Sequence, residues 1–322
     1  MLTPLAWHRP TWQKIVELNK AKKLSHALLL TANNKVAASY FIQSLAAQIL
    51  CANNDLDACG ECKSCLLFQA GSHPDLLSIG LEEKSKQIKI DQIRKIIHFD
   101  HQTAQLAGSK LIVIEPVEAM NMNAANALLK SLEEPSKDTF FLLATTKPSQ
   151  IMPTIRSRCQ LVHLQPPTQF QAEQWLAQTA IPNEQAAFWL FLAQNDPIKA
   201  ASLFETQDYS VYQHFVNDLI HLPQQGSLVS TAREIEKRGI EIWLNFMQSV
   251  IAALLKKQMV EIPLPEFIQP FTILLTSPKF SVSAYYFLDQ LNLVQKQRLS
   301  QSNPNELLMI ESLLSDWVNL TQ

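Results

Sequence analysis

Five short apolar runs separated by segments of helical periodicity constrain the first half of this chain more than any other feature. The runs cover residues 27–31, 75–79, 111–115, 140–145 and 160–164. Helices are expected around them at 11–20, 39–50, 90–103 and 123–133, with a short turn near 153–157. The runs are apolar almost throughout, as in Leu111-Ile112-Val113-Ile114, which a strand buried on both faces requires. Strands alternating with helices then imply a parallel sheet covered on both sides. Pro166-Pro167 ends the pattern, and beyond it no strand is expected. Residues 169–204 read as a small helical block, with helices at 172–178, 184–194 and 197–203. After Tyr209, apolar residues recur at helical spacing in longer segments: 211–221, 230–238, 240–258, 264–276, 282–296 and 306–320. The expected organisation is an α/β domain (1–165), a small helical domain (166–207) and an all-helical domain (208–322).

The junction after the first strand has the place of a phosphate-binding loop without its residues. Such a loop needs G-x-x-x-x-G-K-[ST], with glycines so that backbone N–H groups wrap phosphate and a lysine to neutralise it. The aligned positions are Ala32, Ala37, Ala38 and Ser39, so both glycines and the lysine are missing. The third strand ends in Glu115, where a carboxylate would hold Mg²⁺, but the following position is Pro116, which can neither act as a base nor carry charge. Glu118 supplies a nearby carboxylate at the wrong position. Taken by themselves, Glu115 and Glu118 are better read as ordinary acids at a strand end.

Cys51, Cys59, Cys62 and Cys65 lie within fifteen residues, spaced C-x7-C-x2-C-x2-C. Four thiolates at short spacing suit tetrahedral Zn²⁺, and a site with four protein ligands keeps no open position for catalysis. A structural zinc clip is therefore favoured over two alternatives. An iron–sulfur run should continue x3-C-P, whereas Cys65 is followed by Leu66-Leu67-Phe68-Gln69-Ala70. Unligated core thiols are the third reading. His73 is near enough to be a spare ligand, but His73-Pro74-Asp75 more naturally turns the chain into the second strand. Cys159 stands alone and reads as packed.

A formal charge of −2 excludes a globally basic nucleic-acid binder, so any DNA contact would be local. Lys84, Lys86, Lys89, Arg94 and Lys95 are a possible patch, although such runs are usually solvated faces. No apolar run reaches membrane-spanning length and no signal-peptide pattern opens the chain, so a cytoplasmic location and no membrane partner are expected. Thr154-Ile155-Arg156-Ser157-Arg158-Cys159 places two arginines on a turn entering a strand, and arginine presents a planar fork suited to phosphate.

Several strings in order carry a family resemblance. They are Trp7-His8-Arg9-Pro10, Ser25-His26-Ala27-Leu28-Leu29, the cysteine insert followed by Gly71-Ser72-His73-Pro74-Asp75, Asn126-Ala127-Leu128-Leu129-Lys130-Ser131-Leu132-Glu133-Glu134-Pro135, Ser157-Arg158-Cys159, and Asn305-Glu306-Leu307-Leu308. With them the chain resembles the δ′ subunits of the bacterial DNA polymerase III clamp loader, relatives of the AAA+ ATPases. The resemblance is clear through residue 165 and thinner beyond. It implies an AAA+-like P-loop NTPase fold, then a helical lid and a C-terminal collar that assembles with δ and three γ/τ subunits. It also implies that the complex loads the sliding β clamp onto primed DNA. The lost phosphate loop and Pro116 favour δ′ over the active γ/τ subunits. The helix where the family carries a phosphate-sensing G-S-x-R agrees, since it reads Asn195-Asp196-Pro197-Ile198 here. Thr145 or Thr146 matches the polar sensor after the fourth strand. By resemblance, Arg158 is a finger that reaches the γ-phosphate of ATP on a neighbouring subunit, and no ATPase or polymerase activity of the chain's own is implied. Two other classes are weighed against this: an active γ/τ-like loader ATPase, and a zinc-dependent DNA-binding module. The second suffers from a cysteine segment with one basic residue, Lys63, against Asp55, Asp57 and Glu61.

Overall fold

All five expected strands form, and they make one parallel sheet of order β2-β3-β4-β1-β5. In the computed structural model, which describes residues 3–321 apart from 54, 84, 107, 226, 261–263, 278–279 and 301–304, the strands are β1 (Ala27–Thr31), β2 (Leu76–Ile79), β3 (Lys110–Ile114), β4 (Thr139–Thr145) and β5 (Gln160–His163). The helices among them are α1 (Arg9–Lys20), α2 (Lys35–Leu50), α3 (Lys63–Gln69), α4 (Ile90–Asp100), α5 (Met122–Glu133) and α6 (Pro153–Arg156). Strand β1 lies between β4 and the edge strand β5, with Leu29 opposite Leu143 on one side and Leu161 on the other. Its side chains alternate between two cores. Leu28 and Leu30 pack with Trp12 of α1 and Phe41 and Leu45 of α2, while Ala27 and Leu29 pack with Ile93 and Ile96 of α4 and Leu128 of α5. Each leucine taken fully out of water contributes about 1.5–3 kcal/mol, so a strand buried at every position is anchored from both faces. This is the α/β architecture expected of an AAA+-like domain.

Three elements differ from the expectation. Helix α2 begins at Lys35, four residues before Ser39, because Asn34 is extended and caps it. Helix α3 was not expected; Cys62 caps it by accepting from the Cys65 N–H. Residues Glu266–Thr276 form a 3₁₀ run with Pro270 inside it, where proline removes a donor and crowds the preceding turn.

The chain divides into two units, Met1–Gln171 and Ala172–Gln322. No strand is found after His163 among the described residues. The second unit holds α7 (Gln169–Leu176, starting just before it), α8 (Asn183–Leu192), α9 (Pro197–Thr206), α10 (Tyr209–Gln225), α11 (Leu228–Arg238), α12 (Ile240–Met259), α13 (Phe280–Ser300) and α14 (Glu306–Thr321). These helices share a single core that includes Trp189, Phe215, Trp243, Phe246 and Trp317, and the Trp317 indole N–H donates to the Leu219 carbonyl at 3.1 Å. Among the described residues no helix is long and apolar enough to cross a membrane.

Candidate functional site

Crevices outside the carboxyl ends of parallel strands are where α/β sheets bind ligands. There the first unit has a cavity of 200 Å³ whose lining includes Lys35, Glu115, Pro116, Glu118, Thr145 and Lys147. At this edge only residues 32–34 separate β1 from α2. In a phosphate loop the first N–H groups of the helix turn to the anion. Here the Ala37 N–H donates to the Asn34 side chain and the Ala38 N–H to the Asn34 carbonyl, both at 3.0 Å. Asn34 thus caps the helix and takes up the Ala37 N–H that a phosphate could otherwise meet. Ala32, Ala37 and Ala38 are buried, and Ser39 spends its hydroxyl on Glu115.

Burial pushes the Glu115 carboxyl above its ordinary range, against the pull of the Ser39 hydroxyl and the Lys35 ammonium, and the nearby Glu118 adds to the rise. One oxygen of Glu115 and one of Glu118 are buried without a hydrogen-bond partner. The two threonines are engaged by their own chain: Thr145 accepts from the Lys147 N–H at 2.9 Å, and Thr146 donates to Glu118 at 3.4 Å. In the second unit, Ile198 and Lys199 donate their backbone N–H groups to the Asp196 side chain at 3.0 and 3.1 Å, an ordinary helix cap with an apolar residue in the arginine position. Lys84 lies outside the described residues, and exposed Arg94 pairs with Asp91 at 2.8 Å.

Arg158 is not among the residues lining the cavity. It follows α6, whose C-cap is Ser157. Its Nε donates to Glu133 Oε1 at 2.7 Å, Nη2 donates to the same oxygen, and Nη1 donates to the Thr154 carbonyl at 2.8 Å and to the Ser157 hydroxyl at 3.4 Å. The side chains remain 32% and 47% exposed for Arg158 and Glu133. Arg156 is exposed.

The four cysteines do converge. Their sulfurs lie within 4.8 Å of one another, with 3.6 Å from Cys51 to Cys59 and 3.9 Å from Cys59 to Cys65. Four sulfurs about 2.3 Å from one ion stand about 3.8 Å apart, so the donor set fits a tetrahedral zinc. Backbone N–H groups of Cys59, Cys62 and Cys65 donate to the sulfurs of Cys51, Cys59 and Cys62, each at 3.4 Å, which favours thiolate. For Cys62 burial opposes ionisation, but the N–H groups of Ala52 and Cys65 and the adjoining thiols outweigh it and bring the pKa down to about 6. The Glu61 and Cys62 N–H groups lower Cys59. Burial raises Cys51 and pushes Cys65 up to about 12.

The insert is strapped to the sheet domain by bonds that do not involve sulfur. Arg9 grips both oxygens of Asp57 at 2.9 and 3.0 Å. Trp12 donates to the Leu56 carbonyl and Gln48 to the Asp55 carbonyl, both at 3.0 Å. His73 stays out of the sulfur group: its Nδ1 accepts from the Asp75 N–H at 3.1 Å, which leaves Nε2 to donate to Ser64 at 2.6 Å. Cys159 lies apart, and burial pushes its thiol up to about 11. Sequence reasoning missed Asn34, Glu133 and Asp57. Asn34 alone carried a local signal, as a preferred cap residue ahead of a helix.

A family model described as "DNA polymerase III, delta subunit" matches residues 7–168, half of the chain. The chain is 44% identical over 181 residues to DNA polymerase III subunit delta' of Pseudomonas aeruginosa, covering 56% of this chain and 54% of that one. Its similarity to subunit delta' of Escherichia coli K12 is 27% over 315 residues, covering 96% and 93%. The chain therefore spans about half the length of the first relative and nearly all of the second. A similar solved structure is a DNA polymerase III gamma subunit-related protein from Thermotoga maritima, at 19% identity, 97% and 99% coverage and a TM-score of 0.44. Matched by the family model across its sheet domain and aligned along almost the whole Escherichia coli relative, the chain belongs to the delta′ family of DNA polymerase III subunits.

Proposed function

We propose that this chain is a non-hydrolysing member of a polymerase III clamp loader, with no ATPase or polymerase activity of its own. The observation that carries this is the cap at Asn34. At the head of α2 the Ala37 and Ala38 N–H groups are already bonded to Asn34 at 3.0 Å, and Ala38 stands where a phosphate loop places the lysine that neutralises its anion. A chain that cannot hold ATP can still act on ATP held next to it. Arg158 is the residue suited to act in this way, since a finger needs an accessible guanidinium and no phosphate loop, and its charge stabilises the transferring phosphoryl group.

The rest of the reading follows the family. Residues 166–207 act as a lid, and residues 208–322 join a collar with δ and γ/τ. The chain serves as a stator that couples ATP state to clamp opening and so helps place the sliding β clamp on primed DNA, in the cytoplasm. Cys51, Cys59, Cys62 and Cys65 would hold Zn²⁺ with no ligand position left open, so the metal would cross-link the insert and take no part in chemistry.

The test is ATP turnover by the reconstituted loader with clamp and primed DNA. The isolated chain is expected to be inert. Arg158→Ala is expected to slow turnover at the ATP site beside this chain by about 10³-fold or more. Full turnover with Arg158→Ala would remove the finger, and turnover by the isolated chain would favour a γ/τ-like ATPase.

A further inference from the structure

We propose that Glu133 is a positioning residue that parks Arg158 against its own chain until a neighbouring phosphate takes the guanidinium over. The inference rests on the reading of Arg158 as a residue that acts in trans.

A guanidinium has five N–H donors, and a two-pronged grip on phosphate uses two adjacent ones. Four donor contacts of Arg158 stay within the chain: Nε and Nη2 to Glu133 Oε1, and Nη1 to the Thr154 carbonyl and the Ser157 hydroxyl. One N–H on Nη2 remains. In this arrangement the fork cannot grip phosphate with two prongs without giving up Glu133 or the α6 carbonyl. Glu133 is the more consequential of the two, because it occupies the Nε–Nη2 edge and carries the charge a phosphate would replace.

The location of Glu133 explains why it holds the arginine. It is the last residue of α5, where the helix dipole disfavours a carboxylate and favours a cation. Arg158 answers both, neutralising the carboxylate and lying at the negative end of α5. The hold is nevertheless weak because of its surroundings. With the side chains 32% and 47% exposed, the pair is screened by water and worth little. A phosphate carries more charge and more acceptor oxygens than a carboxylate, so it outcompetes Glu133 once brought within reach. The contact therefore keeps the arginine from acting early without preventing it from acting at all.

The experiment compares ATP turnover by the reconstituted loader in the absence of DNA for the parent chain, Glu133→Gln, Arg158→Ala and the double variant. Glu133→Gln keeps the shape of the contact and removes its charge. The expected result is a rise in DNA-independent turnover of about two- to five-fold, the range set by an exposed ion pair, with no such rise when Arg158 is already alanine. A fall or no change in turnover with Glu133→Gln overturns the parking role, as does an equal rise in the Arg158→Ala background. If Arg158→Ala itself leaves DNA-stimulated turnover intact, the trans-acting reading fails instead. A second measurement needs only the isolated full-length chain. Hydrogen exchange at the Arg158 Nε–H, followed by NMR, is expected to be several-fold faster in Glu133→Gln, and an unchanged rate overturns the inference.

Discussion

Buried just ahead of the first helix, His8 meets the rings of Trp7 and Phe41 edge-on. Burial lowers its pKa from 6.5 to about 4, outweighing the hydrogen bond with the Gln165 backbone that favours the charged form. Between these two values the unfolded chain holds a proton that the folded chain does not. Stability therefore rises with pH across that window and is lost as pH falls toward 4. The full contribution is about 3 kcal/mol. Urea titrations at pH 7.5 and 4.5 should show a loss of stability on acidification that is smaller by about 2 kcal/mol in His8→Gln. An equal loss in both proteins would mean that other groups govern the acid limb. Arg158 and Glu133 belong to the same scale with the opposite logic: they are exposed enough to exchange partners, and His8 is not.

At the scale of elements, the cysteine insert has two independent attachments, its sulfurs and its straps from Arg9, Trp12 and Gln48. Cys59→Ser is expected to lose zinc, measured as metal per chain by mass spectrometry, yet to keep the parent's helix and sheet signal in circular dichroism. Its melting temperature should fall by roughly 5 °C, the equivalent of about 2 kcal/mol in a unit of this size. Collapse of the whole signal would show that the straps do not suffice. The cysteine group was legible from sequence because its four members are close along the chain. The inner strands β1, β3 and β4 were legible because burial on both faces demands nearly unbroken apolar runs. The edge strands β2 and β5 were legible by their place in the alternation, and the ends of all five fell within a residue or so. The start of α2 was not, because the spacing of a phosphate loop suggested an open segment where the Asn34 cap allows helix. Helix α3 is too short to show periodicity, and Pro270 turned an expected α-helix into a 3₁₀ run. The Glu133–Arg158 contact joins residues 25 apart through the fold, which no local pattern encodes.

At the scale of the whole molecule, the two units have separate cores, so calorimetry should depart from a single two-state transition. Trp243, fully buried in the second core, is the probe. Trp243→Ala should destabilise the transition of that unit by about 3–5 kcal/mol and leave the other near its parent temperature. A common shift of both would show that they unfold together. Asn34 also bears on the history of the chain. Restoring glycine at 32 and 37 and lysine at 38 would recreate the letters of a phosphate loop. The helix would still open at Lys35 on a bonded Asn34, and Pro116 would still follow Glu115. Each reversion alone would give up packing at a buried alanine, and glycine within α2 would cost about 0.5–1 kcal/mol, with no ligand gained in return. The arrangement thus works as a ratchet: no single step back toward the residues of a phosphate loop is favourable, because each gives up a contact the folded chain already makes.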